Sequence, residues 1–568
     1  MTQLSSLDVP GTLGKEQGEP KEAHEARLGA AGLLFDVQGY VEDFGRAVVP
    51  AYRKGTADRE LPADAGVARS VVPPGTAAAR DFSTLAPTIP QLVAERCVGC
   101  MACVSACPDA AIMGIAVPEA DLEGHIGAFA GTQDDPVGAT ASARSHFVHT
   151  QKYAEVPAKR GVPPASFGIF IDPGHCKGCA ECVEVCVAQG HDALFMAPKL
   201  TAEPLDPGVV GSTPTSTVDR YRRDMAFFRS LPITPREYRN EKVLADLMLG
   251  EHAFGYLGGA GSCSGCGEAS LIRMVTTATR EVYGPDAMGI VAATGCNTVF
   301  GATYPFNPYL VPWTNSLFEN APADAMGIRQ RWDQAGHADR RLWVFGGDGA
   351  MYDIGFQSLS RMVASGADIK VLVLDTQAYS NTGGQASTAS FGGQVTKLSA
   401  YGREVHGRPE RRKELARILM AHDQVYVAQT TAAHLNHCYR AIMEANAYPG
   451  PAVIVAYTPC MPEHGIADDA ASRQSRLAVE SRAFPLWTYD PRRGPTLRER
   501  LSLQGNPALR EDWATRPDGA FFDFLAFART EGRFAGHFAG AEPTPEIKAT
   551  QDERLANWRS LQEMAGLR

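Results

Sequence analysis

The stretch Leu342–Gly384, LWVFGGDGAMYDIGFQSLSRMVASGADIKVLVLDTQAYSNTGG, decides the fold. It opens with the short apolar run Leu342–Phe345 and breaks at Gly346-Gly347-Asp348-Gly349. Asp353–Ala364 follows with helical periodicity and stops at Ser365-Gly366, and Ile369–Leu374 is a second apolar, β-branched run. Strand, helix and strand in this order predict a parallel unit. Strands that are apolar throughout belong to a sheet covered on both faces. The alternation continues with a helix over Arg411–Ala421, a strand over Gln424–Gln429, a helix over Ala432–Ala445 and a strand over Ala452–Tyr457. Ligands of such sheets bind beyond the carboxyl ends of the strands. The loops after Phe345, Leu374 and Tyr457 are therefore expected to share one functional edge. Mg2+ takes near-octahedral oxygen ligands, often including phosphates. Asp348 offers a carboxylate, while Thr376, separated from Gly349 by 26 residues, offers a hydroxyl and Ala378 a backbone carbonyl. Glycines beside Asp348 let a diphosphate approach the backbone.

Outward from this unit, the 13 cysteines are clustered. Cys97, Cys100, Cys103 and Cys107 form C-x2-C-x2-C-x3-C followed by Pro108, and Cys176, Cys179, Cys182 and Cys186 repeat the spacing with Val187 in place of the proline. This is the two-cluster ferredoxin spacing, in which the fourth cysteine of each run ligates the other cluster. One 4Fe-4S cluster would take Cys97, Cys100, Cys103 and Cys186, the other Cys176, Cys179, Cys182 and Cys107. Zinc, the alternative, prefers two C-x2-C pairs per site and leaves the third cysteine of each run unexplained. Cys263, Cys266, Cys296, Cys438 and Cys460 lie outside the runs.

Composition bounds the rest. The chain has 568 residues, 44% hydrophobic and 21% charged, with 54 Lys+Arg against 64 Asp+Glu and a net charge of -10. That length holds roughly three or four domains. The acidic balance argues against nucleic-acid binding. No apolar window of ~18 residues reads as a membrane span, and the N-terminus lacks a secretory pattern, so a cytoplasmic location is expected. The predicted division is an arm over 1–85, with an amphipathic helix near Leu33–Tyr52; a ferredoxin-like α+β domain over 86–205; a linker over 206–245; an α/β parallel-sheet domain over 246–480; and a C-terminal extension over 481–568, read as a wrap. Val71–Pro90 reads as a linker and Gly114–Lys159 as a loop.

The Gly-Asp-Gly turn and the polar loop on the next strand are the Mg2+ and diphosphate motif of thiamine diphosphate enzymes. With GSCSGCGE, ATGCNTVFGATYP, FGGDGAMYDIGFQSL and VLDTQAYSNTGGQASTAS, the chain closely resembles the pyruvate:ferredoxin oxidoreductases, thiamine-dependent 2-oxoacid:acceptor oxidoreductases. The resemblance covers about residues 88–490. It implies a third 4Fe-4S cluster, beside the thiamine, on Cys263, Cys266, Cys296 and Cys460. It places Glu268 and the backbone around Cys296 near the cofactor. Gly347, Asp348, Gly349, Ala350, Thr376, Gln377, Ala378, Tyr379 and Ser380 would line it, with Asn381 beside the thiazolium as the catalytic side chain. Cys438 has no family role and reads as a buried free thiol.

The implied reaction is oxidative decarboxylation of a 2-oxoacid, pyruvate first, to acyl-CoA and CO2, in either direction of flux. Electrons would pass singly to ferredoxin, flavodoxin or a flavoprotein partner, and oxygen sensitivity is expected. 2-Oxoglutarate, an aryl 2-oxoacid or oxalate are alternative substrates. Sequence for only one thiamine-type α/β domain is visible. A second subunit of a hetero-oligomer is therefore expected to carry the pyrimidine-binding domain, with its activating glutamate, and the CoA-binding domain. A non-oxidative thiamine lyase and an electron-transfer adaptor with a dead thiamine fold are the competing readings. The cysteines beside the thiamine count against the first, and intact Asp348, Thr376 and Asn381 against the second.

Overall fold

A computed structural model describes residues 37–62, 71–201, 215–516 and 519–568. The iron–sulfur part is built on two small sheets. Strand β1 (Thr88–Leu92) pairs antiparallel with β5 (Leu194–Pro198). Strands β2 (Ile112–Pro118), β4 (Ala165–Ile171) and β3 (Phe147–His149) form a second antiparallel sheet in that order. The two cysteine runs fold alike. Gly99 and Gly178 have φ of 72° and 73°, Met101 and Ala180 have φ of 66° and 67°, and helices start at Ala102 and Glu181. Left-handed backbone at two non-glycine residues is uncommon. Here it turns each loop into a helix that carries the third cysteine, with the fourth just past its end at Cys107 in the first run and within it at Cys186 in the second.

The segment Gly114–Lys159 is not the loop expected from sequence. It holds most of β2, helices Glu119–Ala130 and Pro136–Ser145, β3 and a wide turn at Gln151–Glu155. Gly and Ala interrupt the apolar spacing of both helices, which hides them from a periodicity reading. The Val71–Pro90 stretch is also more ordered than a linker. Ile89 and Pro90 lie in β1, and buried Arg80 donates to the carbonyls of Leu257, Gly258 and Asp109. Helix Thr217–Ser230 occupies part of the expected 206–245 linker.

The main sheet has eight strands: β6 (Met288–Ala293), β7 (Trp313–Ser316), β8 (Arg341–Gly347), β9 (Ile369–Asp375), β10 (Tyr426–Thr431), β11 (Ala452–Tyr457), β12 (Trp487–Tyr489) and β13 (Leu501–Ser502). Their order is β13-β12-β10-β11-β9-β8-β6-β7. The six strands from β10 to β7 are parallel, and β12 and β13 add an antiparallel edge. Side chains of a strand alternate between faces, and the sheet accordingly separates two cores. Trp343, Phe345, Leu372, Leu374 and Ile454 join one core, which runs on into Cys103, Phe167 and Phe170 of the iron–sulfur part. Leu342, Val344, Val371, Val373 and Val453 join the other, which takes in Phe524, Phe534, Trp558 and Leu561 of the C-terminal segment.

That segment therefore covers the sheet's second face, as a wrap would, and ends in helix Pro545–Met564. The described part of the N-terminal arm contains helices Val37–Asp43 and Val49–Lys54 joined by a wide turn. Tyr40, Phe44, Val48 and Val49 pack with Tyr304 and Phe306. Leu33–Asp36 of the expected helix, and residues 1–36 as a whole, lie outside the described residues. Among the described residues, no helix is long and apolar enough to cross a membrane.

Candidate functional site

The carboxyl ends of β6, β8, β9 and β11 lead into the segments that carry Cys296, Asp348, Thr376 and Cys460. The chain leaves β6 toward β7 on one side and β8 toward β9 on the other, so the site lies at a topological switch point. Thr376 Oγ1 is 3.2 Å from Asp348 Oδ1 and 3.0 Å from the carbonyl oxygen of Ala378. Ser380 Oγ is 2.8 Å from Thr376 Oγ1. A carboxylate, a hydroxyl and a carbonyl thus meet as hard oxygen donors for Mg2+. Burial, and then the nearby Asp375 carboxylate, push Asp348 well above the usual carboxylate range. A cation bound there would reverse that.

Backbone shape brings these groups together. Gln377 has φ +60°, and its carbonyl accepts from Ser390 Oγ at 2.6 Å and Gln394 Nε2 at 2.8 Å. The turn it makes puts the Thr376 side chain and the Ala378 carbonyl at the same point. Among the described residues the buried Gln377 side-chain amide has no hydrogen-bond partner, the kind of orphan a bound polar group satisfies. A Cβ on Gly349 would stand 2.8 Å from the Tyr379 ring, whose hydroxyl donates to Asp353 Oδ2 at 2.7 Å. A Cβ on Gly347 would meet the Leu374 carbonyl oxygen at 3.9 Å, an ordinary contact, and Ala350 is buried. Asn381 is exposed in the turn that Gly383 N closes on the Ser380 carbonyl.

The two ferredoxin-type sets come together across the runs. One cavity is lined by Cys97, Cys100, Cys103 and Cys186, with Leu92, Phe167 and Ile169. Another is lined by Cys107, Cys176, Cys179 and Cys182, with Ile112 and Ile171. Burial lifts the Cys103 thiol, and Cys97, Cys100 and Cys186 lift it further. Burial does the same to Cys182, with Cys179, Cys107 and Cys176 adding to it. Crowded thiols with raised proton affinity are groups that a metal would deprotonate. Among the described residues no three His, Cys, Asp or Glu side chains gather tightly enough for a single metal ion. The sulfurs surround a space instead, which suits a polynuclear cage.

Cys263, Cys266, Cys296 and Cys460 meet from three loops. Cys266 precedes helix Gly267–Tyr283, Cys296 opens helix Cys296–Gly301, and Cys460 follows β11. Burial raises Cys296, and Glu268, Cys266, Cys460 and Cys263 raise it further. Gly267 N donates to the Pro459 carbonyl at 3.3 Å, tying two of the loops. Gly265 has φ +72°, and its Cβ would lie 1.9 Å from the Asp468 carbonyl oxygen. Glu268 is buried, its Oε2 has no protein partner, and burial pushes it up to about 8. Cys438 is fully buried on helix Leu435–Ala447, away from these sets.

Several residues of the site were not visible in the sequence. His464, fully buried and kept neutral by burial and Arg533, donates through Nε2 to the Thr376 carbonyl at 2.8 Å. Its own backbone N–H donates to the Cys460 carbonyl at 2.9 Å. Ser387 donates to Asp348 Oδ2, and Arg412 pairs with Asp375 beneath it. These partners lie 39, 88 and 37 residues apart in sequence, so no local spacing reveals them.

Comparison with known proteins agrees with this geometry. Residues 293–456 match the family model described as thiamine pyrophosphate enzyme, C-terminal TPP binding domain, and residues 90–113 match the 4Fe-4S binding domain. A probable pyruvate-flavodoxin oxidoreductase of Escherichia coli (strain K12) is 30% identical over 82% of this chain and 41% of its own length. A pyruvate:ferredoxin oxidoreductase of Moorella thermoacetica is 29% identical over 88% of this chain and 44% of its own length. The pyruvate-flavodoxin oxidoreductase of Rhodospirillum rubrum is 26% identical over 100% of this chain and 47% of its own. The chain thus spans less than half the length of these relatives. A solved 2-oxoglutarate:ferredoxin oxidoreductase from Magnetococcus marinus, 21% identical, aligns with a TM-score of 0.32 over 37% of this chain and 68% of that one, too weakly to carry an argument.

Proposed function

We propose, on the premise that this chain belongs to the pyruvate:ferredoxin oxidoreductase family over the part it spans, that it is the thiamine- and cluster-bearing portion of a CoA-acylating 2-oxoacid oxidoreductase. Pyruvate is the substrate the relatives' names favour. The observation that carries the reading is His464, whose ring Nε2 bonds the Thr376 carbonyl of the oxygen-donor site and whose backbone N–H bonds the Cys460 carbonyl of the nearest cysteine set. The cofactor's anchor and an electron acceptor are held together there. A non-oxidative lyase has no use for that junction.

In this reading Asp348, Thr376 and the Ala378 carbonyl hold Mg2+, and the glycines beside Asp348 leave room for the diphosphate. Thiamine diphosphate, when bound, supplies the electron sink that decarboxylation needs. Buried Glu268 and the backbone around Cys296 line its reactive side, and Asn381 meets the substrate. Three cysteine sets in series hold three 4Fe-4S clusters. The Cys263/Cys266/Cys296/Cys460 set lies nearest the donors. The Cys107/Cys176/Cys179/Cys182 set comes next, linked to it through Lys177 and Ser262 at 2.7 Å. The Cys97/Cys100/Cys103/Cys186 set is outermost, with Cys100 exposed and Val98 43% exposed. Ferredoxin or flavodoxin would collect electrons there.

The described residues contain one parallel sheet. We place the pyrimidine-binding groups, the activating glutamate and the CoA site on a partner subunit, in a cytoplasmic hetero-oligomer. An anaerobic viologen-reduction assay tests the whole. The complex with its partner should reduce viologen with pyruvate only when CoA is present, and this chain alone should not. Aldehyde in place of acyl-CoA, with no viologen reduced, would favour the lyase reading.

A further inference from the structure

The two cysteine runs fold alike, so a residue that differs between them can be separated from the needs of the fold. Lys177 is such a residue. Its counterpart in the first run is Val98, exposed and outside any bonded network. The Cys-x-Gly-Cys turn therefore forms without a lysine. Yet the Lys177 side chain is only 9% exposed. Its Nζ donates to the Gly259 carbonyl at 2.9 Å and to the Ser262 carbonyl and hydroxyl, each at 2.7 Å. It also pairs with Asp109 Oδ1 at 2.9 Å.

These partners belong to two different sets. Ser262 immediately precedes Cys263, and Asp109 lies two residues after Cys107. Lys177 itself follows Cys176 and lines the Cys107/Cys176/Cys179/Cys182 cavity, but not the Cys97/Cys100/Cys103/Cys186 cavity. Burial lifts the Cys263 thiol and the Lys177 ammonium opposes it, so the charge is felt there too. Arg80, bonded to the Leu257, Gly258 and Asp109 carbonyls, adds a second cation beside Asp109. Asp172 faces Arg80, and Glu268 and Asp468 face Cys263, so Lys177 is the cation that bonds both the Cys263 loop and the second run.

We propose that Lys177 is an electrostatic clasp: it holds the Cys263 loop against the second cysteine run, and its charge raises the reduction potentials of the clusters on both sides of that junction. Reduction adds negative charge to a cluster, and a cation in a partly buried site favours it. The inference rests on the cluster reading given above.

The test is an EPR-monitored redox titration of the iron-loaded chain, with Lys177→Met, Lys177→Arg and Asp109→Asn beside the wild type. In Lys177→Met, two clusters should need a potential lower by about 59 mV, a tenfold change in the reduced-to-oxidised ratio for one electron. The third cluster should titrate as in the wild type. Asp109→Asn, which removes a negative charge, should shift the same two clusters upward, and Lys177→Arg should stay close to the wild type. Hydrogen exchange over 259–266 should quicken in Lys177→Met. Unchanged potentials in Lys177→Met, or equal shifts of all three clusters, would overturn the proposal. Should Lys177→Met fail to retain iron, Asp109→Asn decides: no upward shift overturns it. Wild-type chain that binds no iron would overturn the cluster reading itself, before any variant is made.

Discussion

Asp348 is a buried carboxylate with Thr376 and Ser387 as its hydrogen-bonding neighbours and, among the described residues, no cationic side chain bonded to it. Asp348→Ala should leave the fold and the iron content intact while thiamine diphosphate affinity, read by calorimetry with Mg2+, falls at least tenfold. Gly265→Ala should act differently. Its Cβ meets the Asp468 carbonyl in a left-handed turn, so the Cys263–Cys266 loop must shift and about one third of the iron should be lost. At this scale the sequence showed the groups that a short spacing holds, such as Asp348 and the eight cysteines of the two runs. It hid Ser387, His464 and Lys177, because each acts on a partner brought near only by the folded sheet. Cys263, Cys266, Cys296 and Cys460 became legible as a set only through family resemblance, since three separate loops deliver them.

Among elements, the exchange of fourth cysteines between runs gives a paired expectation. Cys107→Ala should remove the cluster otherwise held by the second run, and Cys186→Ala the one held by the first; EPR of each variant should show a different signal missing. A second expectation concerns the contact between helices Glu181–Ala188 and Ala471–Glu480. Glu181 accepts from the backbone N–H groups of Ala471 at 3.1 Å and Ser472 at 2.8 Å, and Glu184 pairs with Arg476 at 3.0 Å. The carboxylate caps a helix belonging to another part of the chain. Glu181→Ala should cost about 1 kcal/mol and speed hydrogen exchange at the start of the capped helix. Strands β8, β9, β10 and β11 were all legible, because their apolar runs have no alternative reading between helices of ordinary length. The helices of 119–145 were not, because alanine and glycine supply little amphipathic contrast. Such helices are fixed by what they pack on, here Phe227 through the Phe129 ring.

Over the whole molecule, two buried histidines should contribute a loss of stability in acid. Burial, then Arg476, pushes His434 down to about 4, and burial, then Arg440, pushes His437 down to about 3. Unfolded, both would titrate near 6.5. Between about 6.5 and about 4 the unfolded chain binds protons that the folded chain refuses, so stability falls as pH drops, by up to about 1.4 kcal/mol per pH unit for each histidine. Glu268, pushed up to about 8, and Glu181, pushed up to about 7, act in the opposite sense over this window, so the test is the difference between proteins: relative to the wild type, His437→Gln should gain in urea midpoint on going from pH 7 to pH 5. The same sheet that positions the site also divides the molecule. Its C-terminal face is sealed by residues that composition alone presents as a polar tail. Its other face has no boundary at all, for the apolar side chains of Trp343 and Leu372 belong to the same continuous core as Phe167 and Phe170. An engineer who treats the iron–sulfur part as a cassette, to be lifted out or exchanged for one of another potential, would be cutting through a shared interior. A viable graft would have to carry helix Gly267–Tyr283 with it, because Ser270 and Arg273 of that helix bond the Ala106 and Val104 carbonyls beneath the first cysteine run.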